Sequence, residues 1–246
     1  VVGANLSGLT ILNEQYGLVT GDGIRRIDLK SLNNVRIKNE RLLCFYNSII
    51  YNGKVLSNDT YKDESKVKYY DVNELIAAKE GEAPAVTELD IIQKQKINFV
   101  LAKDGNVYTL ESADNGCNIV KIKNDFTLEK VFANFQPAKG PYHSSPTIGM
   151  VASETENIIY LVSTDGAIYK YILGDSDSLK APFIAAESGV SITAPLQLNQ
   201  QSGELYVTYT EERKDESKIV VYSKDGKVLH TVDCGESVPS QILFNN

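Results

Sequence analysis

The pentapeptide Lys-Asp-Glu-Ser-Lys occurs twice in this chain, at 62–66 and at 214–218, and each copy runs straight into a strand-like stretch. The first leads into Val67-Lys68-Tyr69-Tyr70-Asp71, the second into Ile219-Val220-Val221-Tyr222-Ser223. One turn-then-strand device used at two places means a chain built from repeated units. Repeats constrain the fold and leave the chemistry open.

Short runs rich in β-branched and aromatic residues extend the pattern: 17–20, 48–51, 97–102, 158–164 and 205–210. They are nearly continuous in apolar residues, as expected of strands covered on both faces. A more alternating strand follows each, at 24–29, 67–72, 107–110, 168–172 and 219–222. Between the two, Asp22-Gly23, Asp104-Gly105 and Asp165-Gly166 supply the positive φ of a tight two-residue hairpin, and the pentapeptide takes that place in the other two units. Asp225-Gly226 sits one hairpin later, which makes each unit a meander of strands.

Pro146, Pro195 and Pro239 give a third register mark, each fitting the first position of a strand, where no amide need be donated. They stand 49 and 44 residues apart, and the two pentapeptides stand 152 apart, close to three such periods. A period of roughly 40 to 50 residues is one four-stranded antiparallel blade of a β-propeller. The expectation is an all-β propeller, 1–246 as a single domain, with five blades at 5–43, 44–92, 93–143, 144–192 and 193–238. Residues 241–244 look like the opening strand of another blade, which closes the ring or marks part of a larger propeller. The one helical signal lies at 71–80, with Asn or Asp as N-cap and Gly81 as stop.

Composition narrows the partners. Thirty-two Asp and Glu against 25 Lys and Arg give a formal charge of -7, with scattered basic residues, so nucleic acid is not an expected partner. No apolar stretch approaches the roughly 20 residues of a membrane span. The chain begins Val1-Val2-Gly3 without methionine, read as a processed or trimmed end that favours export. Cys44, Cys117 and Cys234 fit neither a disulfide framework nor a zinc pattern and are expected as buried small hydrophobes.

From Gly203 to Gln241 the chain reads Gly-Glu-Leu-Tyr-Val-Thr-Tyr, then Lys-Ile-Val-Val-Tyr-Ser-Lys-Asp-Gly-Lys-Val-Leu-His-Thr-Val, then Val-Pro-Ser-Gln-Ile. This resembles a blade of the NHL and YncE-like propellers; the other units share only the Asp-Gly hairpins. The resemblance implies a binding scaffold for a protein, glycan or small molecule at one face of the ring. It also implies an extracytoplasmic setting, periplasmic, secreted or on the cell surface. Zero Trp removes the WD dipeptide and the tryptophan-docking blades of quinoprotein dehydrogenases.

Candidate chemistry is sparse. Tyr142 and His143 stand in Gly140-Pro141-Tyr142-His143-Ser144-Ser145-Pro146, where an aromatic ring beside an imidazole suits ligand contact, and where two prolines also suit a rigid connector. Gly-x-Ser-x-Gly is absent, and the other histidine, His230, lies in a strand-like run, so no catalytic residue is assigned. Asp175-Ser176-Asp177-Ser178 lacks the Gly and later Glu of a calcium loop and reads as a solvated turn, so no metal ligand or cofactor is assigned. The hairpin aspartates are explained by their turns. Tyr108, Tyr160, Tyr169, Tyr171, Tyr206 and Tyr222 are expected to pack between blades with hydroxyls at an edge, exposed rings for a glycan being the rival reading. The expected function is a non-catalytic binding module. The alternatives are a six-bladed lactonase-like hydrolase, with a metal held by Glu, Asp and Asn from several blades, and an intracellular scaffold propeller in a multi-subunit complex.

Overall fold

The computed structural model describes residues 8–21, 23–38, 48–58, 65–82, 84–93, 98–138, 149–211, 216–239, 242 and 244. They fall into two compact units, Val1–Phe99 and Val100–Asn246. The first unit holds two four-stranded antiparallel sheets, each in chain order. One is β1 (Gly8–Ile11), β2 (Tyr16–Gly21), β3 (Gly23–Asp28) and β4 (Asn34–Lys38). The other is β5 (Ile49–Tyr51), β6 (Lys54–Asn58), β7 (Ser65–Asp71) and β8 (Val86–Gln93). Leu18, Ile24, Ile37, Val55, Tyr70 and Leu75 form their shared core.

The predicted helix is present as α1 (Val72–Ala77), between the third and fourth strands of the second sheet. Asp71 is its cap, its carboxylate accepting from the Asn73 and Glu74 amides, and Lys54 binds that carboxylate at 2.7 Å. The helix buries Leu75 completely, which contributes about 1.5–3 kcal/mol.

The second unit holds three sheets. The first is β9 (Val100–Leu101), β10 (Val107–Ala113), β11 (Gly116–Ile122) and β12 (Leu128–Phe135). The next has three strands, β13 (Met150–Ala152), β14 (Ile158–Val162) and β15 (Ile168–Ile172), and the fourth place is held by a single bridge between Ile168 and Ile184. The last has β16 (Val190–Ile192), β17 (Gln197–Leu198), β18 (Leu205–Glu211), β19 (Ser217–Tyr222) and β20 (Val228–Gly235). β16 and β17 both pair with β18, so the innermost position is one strand broken at 193–196. Pro195 sits in that break, where its missing amide costs no ladder bond, and not at the first position of a strand. Pro146 lies outside the described residues; Pro239 is described, and its carbonyl accepts from the Thr208 hydroxyl.

The five expected blades are five sheets among the described residues, but the boundary expected at 192/193 falls earlier, because β16 (Val190–Ile192) pairs with β18 in the last sheet. Of the two pentapeptides, Ser65, Lys66, Ser217 and Lys218 open third strands and Glu216 precedes one, the rest lying outside the described residues. Register differs in two sheets. The apolar runs at 48–51 and 97–102 belong to innermost strands, and Asp104-Gly105 joins the first strand of its sheet to the second. An apolar run is the same signal for either strand when both faces of both are covered.

Turn chemistry differs too. Among the described residues, a two-residue turn with both central residues at positive φ falls at Asn52-Gly53, at 47° and 71°, while Asp22 of the expected Asp22-Gly23 turn lies outside the described residues. At Asp104-Gly105, Asp165-Gly166 and Asp225-Gly226 only the glycine is left-handed, and its amide donates three residues back, to Ala102, Ser163 and Ser223. The carboxylates of Asp104 and Asp165 accept the amide two residues on. The 123–127 turn copies this loop with Phe126 in the glycine position at φ 64°.

Cys117 is buried, and burial pushes its thiol up to about 11. Cys234 is partly exposed, against expectation, because it sits in the outermost strand β20, while Cys44 lies outside the described residues. Ile242 and Phe244 are in no strand and pack on the last sheet instead. The Ile242 amide donates to Gln197 at 2.7 Å, and the Phe244 ring meets Tyr206 edge-on at 5.0 Å.

Candidate functional site

Tyr142 and His143 lie outside the described residues. Within the second unit, one arrangement recurs in all three sheets: a Tyr of the second strand stands opposite a Lys of the third. The pairs are Tyr108 with Lys121, Tyr160 with Lys170 and Tyr209 with Lys218. Each ammonium lies over its partner ring, 5.8, 6.0 and 6.0 Å from the centroid. Cross-strand neighbours on a pleated sheet meet this way because their Cβ atoms are about 5 Å apart.

Each lysine is completed differently. Lys218 binds Glu187 at 3.1 Å. Lys170 donates to the Lys224 carbonyl at 3.3 Å and lies 5.1 Å from the Phe183 ring. Phe183 in turn packs on Tyr160 at 5.5 Å and fills the space over Gly226, where a Cβ would meet it at 3.3 Å. Lys121 binds the Asp104 carboxylate at 2.8 Å, and the Tyr108 hydroxyl donates to the same oxygen, also at 2.8 Å.

Among the described residues no second aromatic ring lies over the Lys121 ammonium as Phe183 does over Lys170. Tyr108 and Lys121 line a groove of about 250 Å³ together with Glu129, Lys130 and Val131 of β12 and Tyr171, Gly174 and Ser176 of the following sheet. Its charges are held by one another: Lys123 on Glu129 at 2.9 Å, Lys130 near Glu111 at 3.6 Å, and Lys121 on Asp104. Burial pushes the Asp104 carboxyl up, but hydrogen bonds from Lys121, Tyr108 and Asn106 outweigh it and hold the group below the usual carboxylate range. Burial, reinforced by the Asp104 carboxylate, pushes the Tyr108 hydroxyl far above its ordinary value. Burial also raises Tyr171, whose hydroxyl oxygen accepts from the Gly174 amide at 3.4 Å.

Asp104 therefore does more than turn the chain. One oxygen receives the Asn106 amide, as its hairpin position predicts, and the other organises the groove. Tyr108, Tyr160, Tyr171 and Tyr222 are buried as expected, whereas Tyr169 and Tyr206 are half-buried. Asp175 caps a 3-10 turn at Ser176–Leu179, in line with the solvated-turn reading of 175–178. Among the described residues no group of three or more His, Cys, Asp or Glu side chains could hold a metal, and no helix is long and apolar enough to cross a membrane.

Blades of antiparallel strands in chain order, repeated along the chain, define a β-propeller protein. More narrowly, the chain belongs to the family described as a domain of unknown function (DUF5074), which matches residues 3–245. No curated protein matches it. Three similar solved structures agree on the fold. Virginiamycin B lyase from Staphylococcus aureus is 14% identical with a TM-score of 0.54, over 100% of this chain and 76% of that one. The Cps50 (Swd1) β-propeller domain of Myceliophteria thermophila is 11% identical with a TM-score of 0.56, over 98% and 77%. Prolyl oligopeptidase B from Galerina marginata is 11% identical with a TM-score of 0.58, over 92% of this chain and 34% of that one. At these identities the likeness carries the fold alone.

Proposed function

We propose that this propeller is a non-catalytic binding module whose ligand site is the groove between β10–β12 and the 171–176 segment. The observation that carries the reading is the groove's preformed polarity. Its cations and carboxylates are fixed by one another before any ligand arrives, so little ordering cost remains to be met on binding. The acidic balance of the chain supports a ligand other than nucleic acid.

The proposal keeps Tyr142 and His143 as a second contact surface, treats 1–246 as one propeller domain, and places the protein outside the cytoplasm in the manner of the NHL and YncE-like propellers. A small-molecule and glycan binding screen against the full chain tests it, with Tyr171→Phe and Tyr142→Ala as paired variants. Ligand binding weakened by neither variant would remove both surfaces from the reading. Limited proteolysis releasing a stable fragment ending near Phe99 would break the single-domain part, and fractionation of the source cells decides the compartment.

A further inference from the structure

We infer that the groove takes a neutral polyhydroxylated ligand, a single saccharide unit, an inference that rests on the binding reading above. The lining decides the class by its unspent hydrogen-bonding capacity. Lys121 carries three N–H groups and gives one to Asp104. The Tyr171 hydroxyl accepts from Gly174 and keeps its own proton to donate. Ser176 adds a hydroxyl-bearing side chain to the lining, and Lys130 an ammonium 3.6 Å from Glu111. Against these donors stands Glu129, which lines the same groove and holds Lys123 through Oε2, leaving a second carboxylate oxygen with capacity to accept.

Charge cancels across this set. Asp104 balances Lys121, Glu129 balances Lys123 and Glu111 balances Lys130, so an anion entering the groove would compete with carboxylates already in place. A nucleotide or organic acid is disfavoured by that competition. An apolar ring is disfavoured as well, because Tyr108 and Tyr171 are each only 2% exposed and leave little ring surface to stack on. What remains is a molecule that is rich in acceptors, carries some donors and has no net charge. Sugar hydroxyls meet that description, and a site built to hydrogen-bond hydroxyls rejects ligands that lack them.

The test uses the full chain and methyl α-pyranosides of glucose, galactose and mannose, with glucuronate and inorganic phosphate as charged probes. Saturation-transfer NMR and calorimetry are expected to show at least one pyranoside binding, with affinity changed less than twofold between about 0.05 and about 0.5 M NaCl, since no ion pair forms on binding. Tyr171→Phe is expected to weaken that pyranoside about tenfold at unchanged circular dichroism, and Ser176→Ala about threefold, while Tyr206→Phe, outside the groove, leaves it unchanged. Binding of glucuronate or phosphate that falls steeply with salt, with no pyranoside bound, overturns the ligand class and leaves the groove standing as a site. Binding of none of these probes overturns the class and the groove together.

Discussion

The two contacts between neighbouring sheets in the second unit start from the same Tyr–Lys pair and finish differently. Beside Tyr160 and Lys170, the segment following β15 folds back, and Phe183 lies against both side chains and over Gly226. Beside Tyr108 and Lys121, the next sheet offers Tyr171, Gly174 and Ser176, and a groove of about 250 Å³ stays open. The first contact is closed by dispersion and cation–π attraction; the second depends on a carboxylate. An aromatic plug closes the one contact, and without such a plug the other stays open.

The comparison can be broken hardest at Asp104. Asp104→Ala leaves Lys121 without its anion and Tyr108 without its acceptor, both poorly exposed, and is expected to cost about 2–3 kcal/mol in urea denaturation. Phe183→Ala tests the other contact. It removes a half-buried ring packed on Tyr160, and about 2 kcal/mol of stability is expected to go with it, together with appearance of a second open groove in a crystal structure.

Acid should separate the contacts further. The folded Asp104 carboxyl titrates below its unfolded value of about 3.9, so the stability it supplies is present above that pH and is lost as pH falls through the folded value. Asp104→Asn should therefore lie well below the parent in urea midpoint at pH 7 and converge on it at strongly acidic pH; a constant gap would assign its role to packing instead. The third pair gives the smallest effect. Glu187→Gln weakens a bridge whose carboxylate is about half exposed, and about 0.5 kcal/mol or less is expected, shrinking in high salt.

The sequence made the blades legible because their signals are local. Asp165 and Gly166 shape a hairpin through bonds spanning five residues, and the pentapeptides run straight into the third strands of their sheets. The assignment of strands within a blade was less legible, since 97–102 carries the apolar content of a covered strand without saying which strand it is. The groove could not be read at all. Its Tyr and Lys are set opposite one another by hairpins of different length, so Tyr108 and Lys121 are 13 residues apart but Tyr209 and Lys218 only nine. The signal that could have found it is the pairing of second and third strands in each unit, counted outward from the hairpin. The Phe126 turn was hidden for a related reason: its backbone does what glycine does elsewhere, and nothing in Asp125-Phe126 announces it.

Gln200 shows what such a joint means over the lifetime of the molecule. Its amide nitrogen donates to the Ala152 carbonyl at 3.0 Å and its oxygen accepts the Glu154 amide at 2.8 Å, so a side chain of one blade stands in for a peptide group beside another. That imitation needs a donor at one end and an acceptor at the other, which an amide has and a carboxylate lacks. Hydrolysis of this one amide to Glu would set a negative charge against a carbonyl oxygen, turning slow chemical ageing into a defined loosening of two blades.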